Sequence, residues 1–234
     1  HLSMYIKLGN VNLYYEQSGS GRPLILLHGN GENHHIFDEL SRSLSGVYSV
    51  YLLDSRGHGK SNKAPVGYGL MTEDVARFIQ EMGLEKPALL GFSDGGIIGL
   101  KLASQYPDLL SALIAAGPNC NPQGLKKGWL NWFRFCWFFN RSPLLRMMLD
   151  EPDIKPEELK RISIPVLITG GERDMIRREH LEEIAANIPS AQLKILPDET
   201  HASYIVHQKK FGPVVTNFLD GEQPEVSESE SSLS

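Results

Sequence analysis

The sequence predicts an α/β domain with a mostly parallel eight-stranded sheet and helices on both of its faces. Short apolar runs alternate along the chain with segments whose apolar residues recur at helical spacing. The strand candidates are the segments 5–8, 11–16, 24–27, 48–53, 87–90, 112–116, 164–171 and 191–196. Strands that alternate with helices favour a largely parallel sheet covered on both sides.

The first elements carry recognisable turn and helix signals. Segments 5–8 and 11–16 flank Gly9-Asn10, which predicts a hairpin at the antiparallel edge of the sheet. Residues 36–44 and 72–82 have helical spacing of apolar residues. The second of these helices is expected to start at Thr72 as its cap and to end at Gly83.

Composition excludes several functional classes. A chain of 234 residues is ordinary for one α/β domain, and its 41% hydrophobic content supports a substantial core. The net charge of −5 and the lack of a basic run argue against nucleic acid as a partner. No apolar run reaches transmembrane length, so we expect no stable membrane anchoring.

The two cysteines and the chain ends carry further expectations. Cys120 and Cys136 lie in apolar or aromatic surroundings and are predicted to be free thiols of a cytoplasmic protein. Residues 1–3 are interpreted as an addition before a native start at Met4, with no signal peptide. Residues 4–220 are predicted to form a single domain, and the acidic segment 221–234 a disordered tail.

The segment Gly91-Phe92-Ser93-Asp94-Gly95 is the strongest functional signal. It follows a buried strand and precedes a helix, so that Ser93 lies at the apex of a sharp turn. Side chains at Gly91 and Gly95 would collide with the neighbouring strand and helix. This context is the one that the G-x-S-x-G nucleophile elbow requires, which predicts a nucleophilic Ser93. A purely structural tight turn is the alternative.

A nucleophilic serine needs a base and an acid that orients the base. In elbow-type enzymes, the acid and then the histidine follow the serine along the chain. Asp174 follows the strand at 164–171, and His201 follows the strand at 191–196. Both therefore belong to the carboxyl edge of a parallel sheet, where sites form.

Other residues compete for both roles. The rival acids are Glu172, Glu179, Asp198 and Glu199. The rival base is His207, which lies inside a helical pattern. Position directly after a strand favours Asp174, and position in a loop favours His201.

Acyl transfer also needs hydrogen-bond donors that stabilise the negative charge developing on the carbonyl oxygen. The strand at 24–27 runs into His28-Gly29-Asn30-Gly31, and the flanking glycines let the backbone turn its amides toward a pocket. The expected donors are the N–H groups of Asn30 and Asp94, and loss of one such donor costs roughly 2.7–4 kcal/mol. Nearby histidines have no matching acidic or cysteine cluster, so no metal and no other cofactor is expected.

Together these motifs resemble the α/β-hydrolase superfamily, and in particular its small, short-capped, esterase-like members. The matching segments are 26–31, 54–61, 91–96 and the loops of Asp174 and His201. The resemblance implies Ser93 as nucleophile, Asp174 as acid, His201 as base, and Asn30 and Asp94 as oxyanion donors. The loop before His201 lacks the glycine that many relatives place there.

The resemblance also implies a short helical cap, over 121–160, inserted after the sixth strand. This segment is rich in aromatic residues and holds all three tryptophans of the chain. Two interpretations stay open, a helix packed on the body or a lid that lines an acyl pocket. The residues expected to bind substrate are Gly29, Trp129, Trp132 and Phe133. Exposed aromatics would favour a homodimer through the cap or lipid-like substrates.

The predicted function is hydrolysis of a small carboxylic ester through a Ser-His-Asp triad and an acyl-enzyme. Alternatives that use the same fold are carbon–carbon bond hydrolysis of vinylogous diketones, thioester hydrolysis or acyl transfer, and a small-molecule receptor. The side chain of Asp94 has two interpretations, an exposed acid at a helix N-terminus or a carboxylate that recognises a cationic substrate group.

Overall fold

The sheet of this computed structural model has eight strands, in the order β1-β2-β4-β3-β5-β6-β7-β8. The structure describes residues 2–207 and 209–221. Of the predicted tail 221–234, Gly221 is the last residue of a helix and the rest lies outside the described residues. The strands are β1 (Leu2–Leu8), β2 (Val11–Ser18), β3 (Arg22–Leu27), β4 (Tyr48–Leu53), β5 (Ala88–Phe92), β6 (Ala112–Ala116), β7 (Val166–Arg173) and β8 (Ala191–Thr200). The pairs β1–β2 and β2–β4 are antiparallel and the others are parallel. The predicted fold class is confirmed.

The hairpin at the edge of the sheet forms as predicted. Leu8 pairs with Val11 across a turn in which Gly9 has a φ of +63°, a left-handed conformation that glycine adopts readily. The strand β1 extends beyond its predicted start, because Leu2 pairs with Gln17 and Ser3 with Glu16.

Helices cover both faces of the sheet. The helices are α1 (Asp38–Leu44), α2 (Tyr68–Glu81), α3 (Asp94–Gln105), α4 (Lys127–Asn140), α5 (Pro143–Asp150), α6 (Pro156–Lys160), α7 (Arg178–Asn187), α8 (Ser203–Val206) and α9 (Phe211–Gly221). One core layer joins the sheet to α2, α3 and α7, and the other joins it to α1, α8 and α9. Adjacent residues of β5 serve opposite layers, since Leu89 packs into the first and Leu90 into the second.

The start of α2 differs from the prediction. The helix begins at Tyr68, directly after Gly67, and Thr72 lies inside it. The Thr72 hydroxyl donates to the carbonyl of Tyr68 at 2.7 Å, so it is satisfied within the helix and caps nothing. The earlier start follows from tertiary packing, because the Tyr68 side chain is buried and its hydroxyl donates to Asp94.

The candidate acid and base follow the last two strands and lie at the carboxyl edge of the sheet. The strand β8 continues to Thr200, beyond the predicted end at residue 196, and Arg173 pairs with Thr200 across an irregularity after Gly171. Asp174 and His201 therefore each follow directly on a paired strand end. This register brings together two residues that are far apart in the chain.

The cap follows β6, as predicted. It contains α4, α5 and α6, which lie between β6 and β7 in the chain. Backbone hydrogen bonds attach it to the body, with the Ile154 N–H donating to Cys120 and the Lys126 N–H to Met175, each at 2.8 Å. The far end rests on α3, where the Ser104 hydroxyl donates to the Glu158 carbonyl.

Both cysteines are free thiols, as predicted. Cys120 is buried, and burial raises the pKa of its thiol to about 12. Over the ranges 2–207 and 209–221, no helix combines the length and apolar character needed to cross a bilayer.

Candidate active site

Ser93 lies at a strained turn between β5 and α3. Its φ of 55° is positive, a conformation that non-glycine residues seldom adopt and that clusters at functional sites. A Cβ at Gly91 would collide with the backbone of Gly95, and one at Gly95 would collide with the carbonyl of Leu27. The two glycines therefore allow helix and strand to approach closely enough to hold the turn.

Asp174 and His201 are joined by a hydrogen bond. The Nδ1 of His201 lies 2.7 Å from Oδ1 of Asp174, and Asp174 is buried. The carboxylate also accepts the backbone N–H groups of Gly171 and Ile176, each at 3.0 Å. Burial alone would raise the pKa of Asp174, but the bond to His201, its charge and the two N–H donors hold that pKa below its usual value. Asp174 is therefore an anion at neutral pH.

His201 and Ser93 border the same cavity. Its volume is about 270 Å³. The lining residues are Asn30, Glu32, Phe92, Ser93, Phe133, Met148, Met175, His201 and Ala202. The imidazole packs against the Phe92 ring with 4.9 Å between ring centroids, and Gly117 leaves room for it, since a Cβ there would lie 2.7 Å from Cε1 of His201.

The rival acids and the rival base lie elsewhere. Glu172 is exposed and accepts the N–H of Asp198 at 2.8 Å. Glu199 accepts the hydroxyl of Ser203 and pairs with Lys210. His207 is exposed at the end of α8. The hydrogen bond with His201 is thus made by Asp174.

The cap residues that were predicted to bind substrate separate into two groups. Phe133 lines the cavity beside Ser93. Contrary to the prediction, Trp129 and Trp132 line a separate groove with Gly128, and their side chains are 45% and 54% exposed. Helical rotation places Phe133 inward while Trp132 turns outward to stack on Phe135. Gly29 borders the site, since a Cβ there would lie 3.2 Å from Cβ of Ser93.

Asp94 is buried, so the interpretation as an exposed acid is wrong. Its carboxylate accepts the Tyr68 hydroxyl at 2.7 Å and Nδ2 of Asn30 at 3.1 Å. Burial raises the pKa of Asp94, and these two hydrogen bonds oppose that effect. The Asn30 amide also donates to the Leu144 carbonyl of α5 at 3.1 Å. The side chains of Asp94 and Asn30 therefore connect the Ser93 turn to the cap.

Glu32 was not identified by the sequence reasoning. It lines the cavity, and its carboxylate packs against Gly29 beside Ser93. Burial raises the pKa of Glu32 to about 7, and the Asp94 charge adds to this effect while the His201 charge opposes it. The available signal was its position two residues after Asn30, in the same glycine-rich loop.

Histidines near this loop serve as its scaffold. Nε2 of His28 accepts the Ser55 N–H at 3.0 Å, and Nε2 of His58 accepts the Gly31 N–H at 3.1 Å. His34 bonds to the buried carboxylate of Asp54. Within the part of the chain that the structure describes, no three His, Cys, Asp or Glu side chains are grouped so as to hold a metal ion.

A family model described as the alpha/beta hydrolase fold matches residues 22–141, slightly more than half of the chain. The chain belongs to the α/β-hydrolase superfamily. This α/β-hydrolase is 27% identical to the AB hydrolase superfamily protein YisY of Bacillus subtilis, over 92% of its own length and 98% of the relative. It is also 27% identical to a pimeloyl-(acyl-carrier protein) methyl ester esterase of Aliivibrio salmonicida, over 92% and 97% of the two chains.

Solved structures agree on the fold. The crystal structure of a bromoperoxidase from Bacillus anthracis superimposes on this α/β-hydrolase with a TM-score of 0.82, at 21% identity, over 94% of this chain and all of the other. An esterase and a bromoperoxidase thus share the fold, so membership alone does not determine the substrate.

Proposed function

We propose that this α/β-hydrolase is a serine esterase that cleaves a small carboxylic ester through an acyl-enzyme. Ser93 is the nucleophile, His201 the general base and Asp174 the acid that orients the imidazole. The observation that carries the proposal is the 2.7 Å hydrogen bond between Asp174 and His201, at the edge of the cavity that also contains Ser93.

The reaction proceeds in two halves. His201 takes the proton of the Ser93 hydroxyl while the oxygen attacks the ester carbonyl, and the backbone N–H groups of Asn30 and Asp94 stabilise the oxyanion. The ester C–O bond breaks, and the alcohol leaves with the proton held by His201. Water then attacks the acyl-enzyme by the same steps and releases the acid. The anionic Asp174 fixes the imidazole tautomer and stabilises its positive charge.

The cavity supports a small, uncharged acyl group as the substrate. Most side chains around it are apolar, namely Phe92, Phe133, Met148, Met175 and Ala202. Glu32 is the one carboxylate among the described residues that line it, and an ionised Glu32 disfavours an anionic acyl group. The esterase activity that names the Aliivibrio relative is consistent with ester chemistry on this fold.

The two free thiols support a cytoplasmic location, where disulfides are rare.

The proposal is tested with Ser93→Ala and p-nitrophenyl butyrate. We expect steady turnover by the wild type and a decrease of about 10³-fold or more in kcat for the variant. Ser190→Ala, at an exposed serine away from the cavity, is the matched control and should retain activity. Thermal melting of both variants checks the fold. Near-normal turnover by a folded Ser93→Ala variant would refute the assignment. A single burst of product from the wild type, without further turnover, would favour a small-molecule receptor.

A further inference from the structure

Helix α4 presents an unusual number of aromatic side chains to solvent. Five residues form what we call the aromatic face: Trp129, Trp132, Phe135, Phe138 and Phe139. The last two are 67% and 70% exposed. Single exposed apolar residues are normal, whereas a contiguous group marks an interaction site.

The rings of the aromatic face contact one another. Trp132 stacks on Phe135 with centroids 5.8 Å apart, Phe135 meets Phe139 at 5.0 Å, and Phe139 meets Phe138 at 5.2 Å. At the start of the helix, Trp129 and Trp132 border a groove of about 360 Å³. The aromatic face is therefore one continuous apolar surface.

The segment of the chain that carries this face is opposite in charge to the whole protein. The segment 123–149 contains five basic residues and no Asp or Glu, whereas the whole chain has a net charge of −5. The basic residues are Lys126, Lys127, Arg134, Arg141 and Arg146, and all five are exposed. The guanidinium groups of Arg141 and Arg146 lie 5.2 and 5.5 Å from the Trp137 ring centroid. Arg146 is paired with Asp150 at 2.8 Å. The cationic groups beside the apolar surface are therefore those of Lys126, Lys127, Arg134 and Arg141.

We propose that the cap docks reversibly on an anionic lipid surface through the aromatic face. Trp and Phe side chains partition into the boundary between headgroups and acyl chains, and each Lys or Arg near an anionic surface strengthens binding by electrostatic attraction. A two-fold symmetric dimer through the same face would instead bring like charges together. Charge complementarity therefore favours lipid over a second copy of this chain.

Docking would lie close to the candidate active site. Phe133 lines the cavity from the same helix whose outer side carries Phe135 and Phe138. A docked cap therefore holds the cavity near the lipid surface, which favours esters that partition into lipid. This consequence for substrates rests on the proposed esterase function, whereas the docking does not.

The binding experiment uses the full chain and vesicles of two compositions. One is pure phosphatidylcholine, and the other contains equal parts of phosphatidylcholine and phosphatidylglycerol. Because all three tryptophans lie on α4, their emission reports on the cap. We expect cosedimentation and a blue shift of emission with the anionic vesicles, weakened by high salt, and little of either with the neutral ones.

Two sets of variants separate the apolar and charged contributions. The double variant Phe138→Ser/Phe139→Ser should weaken binding at least about tenfold, because two exposed rings lose their apolar contact with lipid. Lys127→Gln/Arg134→Gln should weaken binding to anionic vesicles and lower its salt dependence. Val47→Ser, at an apolar residue that is 57% exposed and lies outside the cap, is the control and should bind like the wild type.

Several results would overturn the proposal. These are the absence of binding to anionic vesicles, equal binding to both compositions, or unchanged binding by the folded Phe138→Ser/Phe139→Ser variant. A dimer in solution that this variant converts to monomer, without vesicle binding by the wild type, would assign the face to a second copy. Ser93→Ala should lose esterase activity and bind vesicles like the wild type, so the two proposals can fail independently.

Discussion

Replacing Glu32 by glutamine should stabilise the protein at alkaline pH. In the folded protein, burial in the cavity raises the pKa of this carboxyl group to about 7, from an ordinary value of 4.5. Between these two values the unfolded chain releases the proton while the folded chain retains it. Ionisation therefore favours the unfolded state, and the stability that wild type has at low pH is lost as pH rises from about 4.5 to about 7. Glutamine keeps the shape of the side chain and removes the ionisation.

The size of the effect follows from the difference between the two pKa values. At about 1.4 kcal/mol per pKa unit, the upper limit is roughly 3 kcal/mol. Since Glu32 is only half-buried and water screens it in part, we expect a gain of about 1–2 kcal/mol at pH 8. For a chain of this size each kcal/mol raises Tm by roughly 2–4 °C. Near pH 4.5 wild type and variant should unfold alike.

The measurement is thermal and urea unfolding of wild type and Glu32→Gln near pH 4.5 and at pH 8. Glu39→Gln removes the same charge from an exposed position on α1 and should change Tm little at either pH. An equal shift of Glu32→Gln at both pH values would contradict the argument, as would a loss of stability at pH 8. Such a result would mean that Glu32 is not desolvated as its surroundings imply.

A buried carboxyl group beside the proposed nucleophile Ser93 is typical of a functional position, where stability is traded for activity. The Glu32 carboxylate and the Ser93 side chain both lie next to Gly29, at the cavity proposed to hold the acyl group. The same variant therefore also probes substrate choice.

Two further predictions concern turnover. Asp174→Asn should lower kcat by about 10⁴-fold in p-nitrophenyl butyrate hydrolysis, because the amide no longer stabilises the His201 imidazolium or its tautomer; a loss below tenfold in a folded variant would contradict the assigned role. At pH 8, Glu32→Gln should raise kcat/KM for p-nitrophenyl hydrogen succinate relative to the butyrate by roughly 3–10-fold, because a repulsive charge is removed at short range. This gain should shrink below pH 7, where wild-type Glu32 becomes protonated, and an unchanged ratio at both pH values would show that Glu32 does not face the acyl group.

Local patterns were enough to predict the strands and the elbow. Apolar runs mark β3, β5, β6 and most of β7, because a strand that is buried on both faces must be largely apolar. The edge strand β8 instead alternates exposed and partly buried residues over its first half. Gly91 and Gly95 mark the Ser93 turn because only residues without a side chain allow the backbones to approach so closely there. The pairing of Asp174 with His201 could also be predicted, because each follows a strand and the carboxyl ends of parallel strands lie at one edge of the sheet.

Tertiary packing decided which side chains line the cavity, which are buried and which face solvent, and local sequence patterns do not specify this. Glu32 lines the cavity, Asp94 is buried and hydrogen-bonded to Tyr68, and Trp132 faces solvent while Phe133 faces the cavity. Each of these outcomes depends on segments far apart in the chain, and the burial of a side chain is a property of its neighbours in space. The sequence by itself therefore determined the fold and the candidate reacting groups, and the tertiary structure decided which charges and rings surround them.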